Sequence, residues 1–274
     1  MPDNVHHSPH NSQHSPLPDT VSVILPTRNR AKMVSAAIDS ALAQRIDGMQ
    51  VIVIDDASSD DTRGVLAQYG DTIDVLRIHH SRGVAHARNR GIELATGQWL
   101  AFLDSDDLWL PGKLAAQLAV VADKPAIALC VTDFAVEQQD TGGDWQKVAI
   151  YGQRPGTRNF SGLFRGNFIG TLTTILRRET CLTLGGFDES LARGSDYDLW
   201  LRVTAVEQMH RIPQVYARYR RHADSLSGLD PLRDQRTWAD VTSRWIARDP
   251  FLLPRIGWSL EEWRSAAHLK SESA

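Results

Sequence analysis

Short apolar, β-branched runs alternate with helical patterns along the first hundred residues. Four runs predict strands: Val21–Leu25, Val51–Ile54, Val75–Ile78 and Trp99–Leu103. Between them, apolar residues recur every three or four positions, as on the buried face of a helix, for example from Met33 to Leu42 and from Val84 to Ala95. Strand-then-helix units with short links predict an α/β fold, with a mostly parallel central sheet flanked by helices.

Polar residues stand directly after three of these strands. At these strand ends lie Pro26-Thr27, Asp55-Asp56 and the acidic run that begins at Asp104. Open α/β sheets bind ligands in the crevice beyond the carboxyl ends of their strands. We therefore expect a ligand site at this edge.

The second half of the chain is less regular. We predict strands at Ile127–Phe134, Thr173–Leu176 and about Arg211–Arg220, with helices after Glu179 and from Asp196. From Leu229 the chain is helical and carries Trp238, Trp245, Trp258 and Trp263. Aromatic residues at helical spacing belong more often to a core than to a binding surface, so we expect Trp238 and Trp245, like Trp109 and Trp200, to pack inside. For the C-terminal tryptophans a dimer or membrane-surface contact is the alternative, and the absence of a basic stripe favours core packing. Ser259 and Glu262 have the spacing of a capping box.

The composition argues against several classes of function. The 274 residues carry a formal net charge of -3, which gives no basic footprint for nucleic acid. The chain has two cysteines, far apart, and Cys130 lies in an apolar run, which favours buried reduced thiols. No secretory signal and no stretch of about 20 apolar residues is present, so we expect a cytoplasmic protein.

The pattern also suggests a division of the chain. Residues 1–19 are rich in His, Ser and Pro and predict a disordered tail. We expect one half over 20–107, a second half over 108–228 and a C-terminal helical segment over 229–274.

The acidic run after the fourth strand suggests a metal site. In extended backbone Asp104 and Asp106 point to the same side. Their mutual repulsion is relieved by a cation, and carboxylate oxygens suit Mg²⁺ or Mn²⁺, which complete their shell with water and substrate phosphates. The alternative is an acidic turn that caps the next helix.

Four stretches, in order, resemble glycosyltransferase family 2, whose members are inverting enzymes with a glycosyltransferase A-type fold. They are VSVILPTRNR at 21–30, VIVIDDASSDDT at 51–62, GVAHARNRGIELATGQWLAFLDSDD at 83–107 and GGFDESLARGSDYDLWLR at 185–202. The resemblance implies a metal-dependent hexosyltransferase that moves a sugar from a nucleotide diphosphate donor to an acceptor hydroxyl. The product would belong to a cell-surface polysaccharide, lipopolysaccharide or glycolipid.

The resemblance also implies a donor site, made of Pro26, Thr27, Arg28, Asp56, Arg88, Asp104 and Ser105. A carboxylate at Asp56 can accept from a uracil N–H, which favours a UDP-sugar, and a guanidinium at Arg88 can pair with a phosphate. The alternative for Asp56 is an Asx turn, a duty that suits Asp55 better.

Three residues receive chemical roles from the resemblance. Asp106 would bind the divalent metal, His222 would add a further ligand, and Asp196 would be the base that deprotonates the acceptor. Ser195 departs from the family's Glu-Asp pair, and Asp196 could otherwise be a helix N-cap. Asp198 lies about 200° around the helix from Asp196, so both cannot serve.

Two other functions stay open. A sugar-nucleotide nucleotidyltransferase has a similar sheet but needs a Gly-rich, Lys-bearing loop after the first strand, and here residues 26–30 contain no glycine. A catalytically inactive nucleotide- or glycan-binding relative stays open because of Ser195. Peripheral association with the inner face of the membrane and a homodimer are also open, beside the nucleotide-sugar donor and a glycan or glycolipid acceptor.

Overall fold

The computed structural model describes residues 20–152, 159–222 and 231–268. The predicted tail at 1–19 lies outside them. The described strands are β1 (Val21–Thr27), β2 (Gln50–Asp56), β3 (Asp74–Ile78), β4 (Trp99–Phe102), β5 (Leu108–Trp109), β6 (Ile127–Gln139), β7 (Trp145–Tyr151), β8 (Thr174–Arg177) and β9 (Gln208–Arg221). The described α-helices are α1 (Val34–Leu42), α2 (Thr62–Ala67), α3 (Val84–Leu94), α4 (Lys113–Asp123), α5 (Phe160–Phe164), α6 (Arg178–Thr183), α7 (Ser195–Val206), α8 (Pro231–Arg248), α9 (Leu252–Arg255) and α10 (Leu260–His268).

The strands of the described chain form one sheet in the order β3-β2-β1-β4-β8-β6-β9-β5, with β7 paired to β6. The predicted α/β architecture with flanking helices is confirmed. The first four strands are parallel, as expected, and so are β6 and β9. β8 runs antiparallel to both β4 and β6, while β5 and β7 form antiparallel pairs with β9 and β6. The sheet is therefore mixed, and the parallel character belongs mainly to the donor-side half.

Each face of the sheet carries its own core. Ile24 and Ile54 face α3 and α7, whereas Val23, Leu25 and Val53 face α1 and α4. The split follows from the strand period of two, which sends alternate side chains to opposite faces.

Helix α3 lies unusually close to the sheet. A Cβ at Gly91 would stand 2.7 Å from both Ile24 Cγ2 and Ile54 Cδ1, so only glycine fits there. Arg88 lies almost one turn earlier on the same helix and is buried near the ends of the strands. The close approach of α3 therefore positions Arg88 for the site at the sheet edge.

The C-terminal helices pack on the core. Trp238, Trp245, Trp258 and Trp263 are partly buried against the core that contains α7, which confirms the packing prediction. The capping box is present, since Ser259 N donates to Glu262 Oε2 over 2.7 Å and Glu262 N donates to Ser259 Oγ over 3.0 Å. Within the described ranges, no helix combines the length and apolar character needed to cross a membrane.

Both cysteines are buried and unpaired, as the apolar run predicted for Cys130. Burial raises the pKa of each thiol to about 12. Neither is a nucleophile at neutral pH, so both contribute to packing alone.

Candidate active site

The acidic turn after β4 gathers ion pairs from three other parts of the chain. Arg88 Nη2 donates to Asp104 Oδ1 over 2.7 Å. Asp106 Oδ2 lies 3.0 Å from His222 Nε2 and 3.5 Å from Arg30 Nε. The turn is thus a meeting point of the β1 loop, α3 and the end of β9.

Strand pairing explains how His222 reaches Asp106. β5 follows the acidic turn at once and pairs antiparallel with β9, with Leu108 opposite Arg218. His222 comes directly after β9, so this short ladder fixes the histidine beside the turn. Burial by itself would raise the pKa of Asp106, but the His222 contact and the Arg30 charge hold it below the usual value.

Asp107 is a member of the turn to which the sequence reasoning gave no role. Its side chain is buried, and Oδ1 accepts from the backbone N–H of Arg220 over 2.9 Å. Burial and the neighbouring charges of Asp106 and Asp104 raise its pKa well above the usual range. Asp107 therefore acts as a buried connector between the turn and β9.

The predicted nucleotide residues lie at neighbouring strand tips. Pro26 and Thr27 end β1 and are buried, and Thr27 Oγ1 has no hydrogen-bond partner among the described residues. Asp56 ends β2 and accepts from Ser81 Oγ over 2.7 Å. Ser81 Oγ in turn accepts from Arg28 Nη1 over 2.8 Å. The structure thus brings Arg28 and Asp56 together through Ser81, which the sequence reasoning missed.

The two adjacent aspartates at the end of β2, Asp55 and Asp56, make different contacts. Asp55 Oδ1 accepts from Ser58 N, three residues further on, over 3.0 Å. Asp55 thus stabilises the turn after β2, whereas the Asx turn predicted for it would bond to the residue two positions on. Ala57, the residue after Asp56, has a left-handed φ of 60°, which is rare for a residue with a Cβ. The sharp bend leaves Asp56 facing the β3 side of the edge, where it meets Ser81.

The two loops that follow β1 and β2 are tied together. Ser59 N donates to Asn29 Oδ1 over 2.8 Å, and Asn29 N donates to Ser58 Oγ over 2.9 Å. Ser59 thus holds the Asn29 loop. Asp60 Oδ1 accepts from Thr62 N, two residues on, over 3.0 Å and forms a turn just before α2.

Asp196 lies in the first turn of α7 and does not cap it. The residue before the helix is Gly194, and Asp196 Oδ2 accepts from Thr171 Oγ1 over 2.8 Å. Asp198 points elsewhere, because it is buried and pairs with Arg202 Nε over 2.8 Å. The carboxylates of Asp196 and Asp198 therefore make contacts in different places, as predicted.

Asp196 lies close enough to Asp104 for the two charges to interact. The pKa of Asp104 is raised, first by burial, while Arg88 opposes the rise and the charges of Asp106 and Asp196 add to it. A carboxylate on α7 that acts on Asp104 in this way must lie within Coulombic range of the turn. The structure therefore brings the predicted base and the predicted metal ligand to the same side of the sheet edge.

The loop before α7 is fixed to α3 by Asn89. Its side-chain Oδ1 accepts from Phe187 N and its Nδ2 donates to Phe187 O, each over 2.9 Å. Nδ2 also lies 3.0 Å from Glu189 Oε1. These hydrogen bonds hold the loop before α7 against α3. Because Arg88 is also on α3, they help to set the position of Asp196 relative to Arg88.

Asp106 and His222 form a donor pair that suits a divalent cation. Their 3.0 Å separation matches adjacent ligands of an octahedral ion with bonds of about 2.1 Å. Within the described part of the chain, no group of three or more His, Cys, Asp or Glu side chains is placed to hold a metal. The pair would need further ligands, such as water and substrate phosphate, to complete an octahedral shell.

Comparison with known proteins shows the family to which this chain belongs. A family model described as glycosyl transferase family 2 matches residues 22–182. The chain belongs to glycosyl transferase family 2. It is an enzyme of the glycosyltransferase class, as the resemblance of its four stretches implied. The matched family 2 segment contains the acidic turn and ends before Asp196 and His222.

Relatives in the family extend the match over most of the chain. Identity is 30% over 244 residues to UDP-Glc:alpha-D-GlcNAc-diphosphoundecaprenol beta-1,3-glucosyltransferase WfgD of Escherichia coli, covering 86% of this chain and 92% of that protein. It is 27% over 213 residues to WfaP of Escherichia coli, which carries the same activity name, covering 76% and 80%.

Solved structures of similar fold are also glycosyltransferases. TarS of S. aureus in complex with UDP-GlcNAc superposes with a TM-score of 0.63 at 17% identity, covering 90% of this chain and 79% of that one. Mannosyltransferase PcManGT of Pyrobaculum calidifontis, in complex with GDP-Man and Mn²⁺, gives 0.62 at 21% identity, covering 90% and 73%. These likenesses confirm the glycosyltransferase A-type fold.

Proposed function

We propose that this family 2 enzyme transfers a hexose from a UDP-sugar, with inversion, to a sugar hydroxyl of a diphosphate-linked lipid during surface polysaccharide synthesis. The observation that carries the proposal is the proximity of Asp196 to Asp104, which stands in the same turn as the Asp106–His222 pair. The two Escherichia coli relatives, by name, use UDP-Glc and a GlcNAc-diphosphoundecaprenol acceptor, which supports the donor and acceptor classes.

The donor nucleotide would lie across the tips of β1 and β2. Asp56 would accept from the uracil N–H, exchanging its Ser81 contact for the base or sharing it. Arg28 lies one hydrogen bond further along this chain and would face the ribose or phosphate. Thr27 Oγ1, buried and without a partner in the described residues, is available to the base.

Asp104, Ser105 and Arg88 would face the diphosphate and its ribose. Arg88 is held by Asp104, so its guanidinium is oriented before the donor arrives. A guanidinium held in this way stabilises phosphate oxygens with little further ordering. Arg88 would thus serve both as a neighbour of Asp104 and as a phosphate contact.

Asp106 and His222 would hold a Mn²⁺ or Mg²⁺ ion. Bound there, the ion would act as a Lewis acid that stabilises negative charge on the departing diphosphate. Arg30, 3.5 Å from Asp106, adds a second positive group on the same side. The protein's own contribution is to present one carboxylate and one imidazole while leaving the other positions to the donor.

Asp196 would remove the proton of the acceptor hydroxyl. Thr171 Oγ1 donates to one carboxylate oxygen, Oδ2, and so leaves Oδ1 to accept from the acceptor. An acceptor oxygen that approaches from the α7 side attacks opposite the diphosphate, which gives inversion at the anomeric carbon. The departure at Ser195 does not remove this geometry, because Ser195 is buried and the carboxylate of Asp196 is anchored by Thr171.

Two arginines near the start of α7, Arg193 and Arg233, would suit a diphosphate-linked acceptor, although Asp234 lies close enough to oppose their charge. A Cβ at Gly194 would stand 2.6 Å from Thr237 Cγ2, so α8 touches the start of α7. Arg233 is one turn before Thr237, and its charge lowers the pKa of half-buried Arg193 after the larger effect of burial. Two guanidinium groups near one entrance would attract an acceptor phosphate.

A nucleotide-release screen tests the proposal. The protein is incubated with Mn²⁺, a soluble acceptor analogue (α-GlcNAc diphosphate with a short alkyl chain) and, in turn, UDP-, dTDP- and GDP-hexoses. We expect acceptor-dependent UDP release with a UDP-hexose and at least about tenfold slower release with the other bases. Binding of UDP without any transfer to acceptor sugars would instead support the inactive binding relative.

A further inference from the structure

Three aromatic rings from neighbouring strands form a cluster on one face of the sheet. Tyr151 on β7 stacks on Phe134 of β6, with ring centroids 5.5 Å apart and an interplanar angle of 14°. Tyr219 on β9 meets the same Phe134 edge to face at 6.3 Å and 75°. The register explains the cluster, because Phe134 lies opposite Tyr151 and two positions from the partner of Tyr219. We name these three residues the aromatic platform.

The platform is continuous with the candidate base. A Cβ at Gly170 would stand 3.1 Å from Phe134 Cε1, so the backbone at Gly170 lies against the edge of that ring. The next residue, Thr171, holds Asp196 through its 2.8 Å hydrogen bond. From Asp196 outward, the order is Thr171, Gly170, Phe134 and then Tyr151.

The outer ring is open to solvent. Tyr151 is 46% exposed although one face of its ring is covered by Phe134. A tyrosine is a rigid amphipathic surface that binds partners at little conformational cost. Its neighbour Ile150 is similarly exposed at 40% but points to the other face of the hairpin, because side chains alternate along a strand.

The position of the platform in the sheet separates it from the donor. The donor tips belong to β1 and β2, and the platform lies on β6, β7 and β9, on the far side of β4 and β8. A ring stacked on Tyr151 would therefore lie across β4 and β8 from the nucleotide site. This separation leaves the surface to a ligand other than the donor nucleotide.

We propose that Tyr151, backed by Phe134 and flanked by Tyr219, is the stacking surface for a sugar ring of the acceptor, next to the hydroxyl that Asp196 deprotonates. The proposal rests on the proposed function and names an acceptor subsite within it. A pyranose presents an apolar face of C–H groups, which an aromatic ring removes from water while the hydroxyls at the rim stay available for hydrogen bonds.

The test compares Tyr151→Ala, Tyr151→Phe and the matched control Ile150→Ala in the transfer assay with a UDP-hexose. The acceptor analogue is used with its alkyl chain and also without it, as α-GlcNAc diphosphate. We expect Tyr151→Ala to raise the KM for both forms of the acceptor about tenfold, equivalent to about 1.4 kcal/mol. The KM for the donor should not change, and Tyr151→Phe should retain the low acceptor KM because the ring remains.

Two outcomes overturn the subsite. One is an acceptor KM in Tyr151→Ala within twofold of wild type, or raised equally in Ile150→Ala, which would mean that the stack only supports the hairpin. The other is an effect confined to the alkyl-bearing acceptor, which would assign the surface to the lipid chain. Absence of transfer by the wild-type protein would overturn the proposed function itself. Calorimetric titration with α-GlcNAc diphosphate then still decides the subsite, because equal affinities of wild type and Tyr151→Ala, or no binding by wild type, contradict it.

Discussion

The carboxylate of Asp107 accepts a hydrogen bond from the backbone N–H of Arg220 over 2.9 Å and joins the acidic turn to the last residues of β9. His222 stands two residues beyond Arg220, and Asp106 stands one residue before Asp107. One buried contact therefore sets the separation of the two proposed metal ligands. It connects positions more than a hundred residues apart in the chain.

Substitution of Asp107 should reveal this positioning role. Asp107→Ala leaves the N–H of Arg220 buried without its acceptor, which costs about 1–3 kcal/mol of unfolding free energy and loosens the His222 side of the pair. Asp107→Asn keeps an oxygen acceptor for the N–H of Arg220 but carries no charge. We expect urea unfolding and Mn²⁺-dependent UDP affinity to fall in the alanine variant and to be largely retained in the asparagine variant. Equal losses in both would show that the charge of Asp107, rather than its hydrogen bond, matters.

The imidazole of His222 should contribute to metal affinity. In His222→Ala we expect the Mn²⁺ concentration for half-maximal transfer to rise by at least about tenfold, the smallest loss usual even for outer-sphere partners. His86→Ala is the matched control, because His86 Nδ1 also lies 3.0 Å from a carboxylate, that of Glu189, away from the acidic turn. Identical Mn²⁺ titrations of His222→Ala and wild type would remove this histidine from the metal site.

Thr171 should affect the transfer rate only through its hydrogen bond to Asp196. Thr171→Val removes the donor to Asp196 Oδ2 at nearly constant volume, so the carboxylate loses its fixed orientation. We expect kcat to fall about tenfold with the KM for the donor unchanged, and Thr171→Ser to restore kcat because the hydroxyl returns. A valine variant with the kcat of wild type would show that Thr171 does not orient the base.

The buried amine of Lys113 should make stability depend on pH. Its Nζ donates to Gln117 Oε1 over 2.8 Å and lies 4.3 Å from the centroid of the Trp109 ring, and burial lowers its pKa from 10.5 to about 7. Between these values the unfolded chain binds the extra proton, so the unfolding free energy rises with pH by up to about 1.4 kcal/mol per unit.

Lys113→Met should remove that part of the slope. Urea unfolding at pH 7.5, 8.5 and 9.5 would measure it, with Lys124→Met as control because Lys124 is exposed just beyond the C-terminal end of the same helix. A slope in Lys113→Met equal to that of wild type would mean that Lys113 stays protonated in the folded protein.

The strands of the N-terminal half could be predicted from the sequence because the patterns that indicate them are local. β1 and β2 are short β-branched runs with no exposed residue, and their polar tips follow at once, so both strands and candidate ligands could be named. β7 gave no such signal, since most of its residues are exposed on both faces and no alternation marks it. α4 was also missed, although Leu114, Leu118 and Val121 recur at helical spacing after Gly112.

The long-range contacts of the site could not be derived from local pattern. The pairing of His222 with Asp106 was expected only from the family resemblance, and it depends on the β5–β9 ladder. Thr171 and Asp107 look like ordinary polar residues in the sequence. Their roles exist only because a loop before β8 meets α7 and the acidic turn meets β9.

The most direct test of the account is the transfer rate of Asp196→Asn at saturating donor and acceptor. Asparagine keeps the acceptor oxygen for Thr171 and the shape of the cleft but cannot take a proton. With UDP affinity equal to wild type by calorimetry, the account predicts a fall in kcat of at least about 100-fold, the usual contribution of a general base. A kcat within a few-fold of wild type would contradict it, because Asp196 would then not be the group that activates the acceptor.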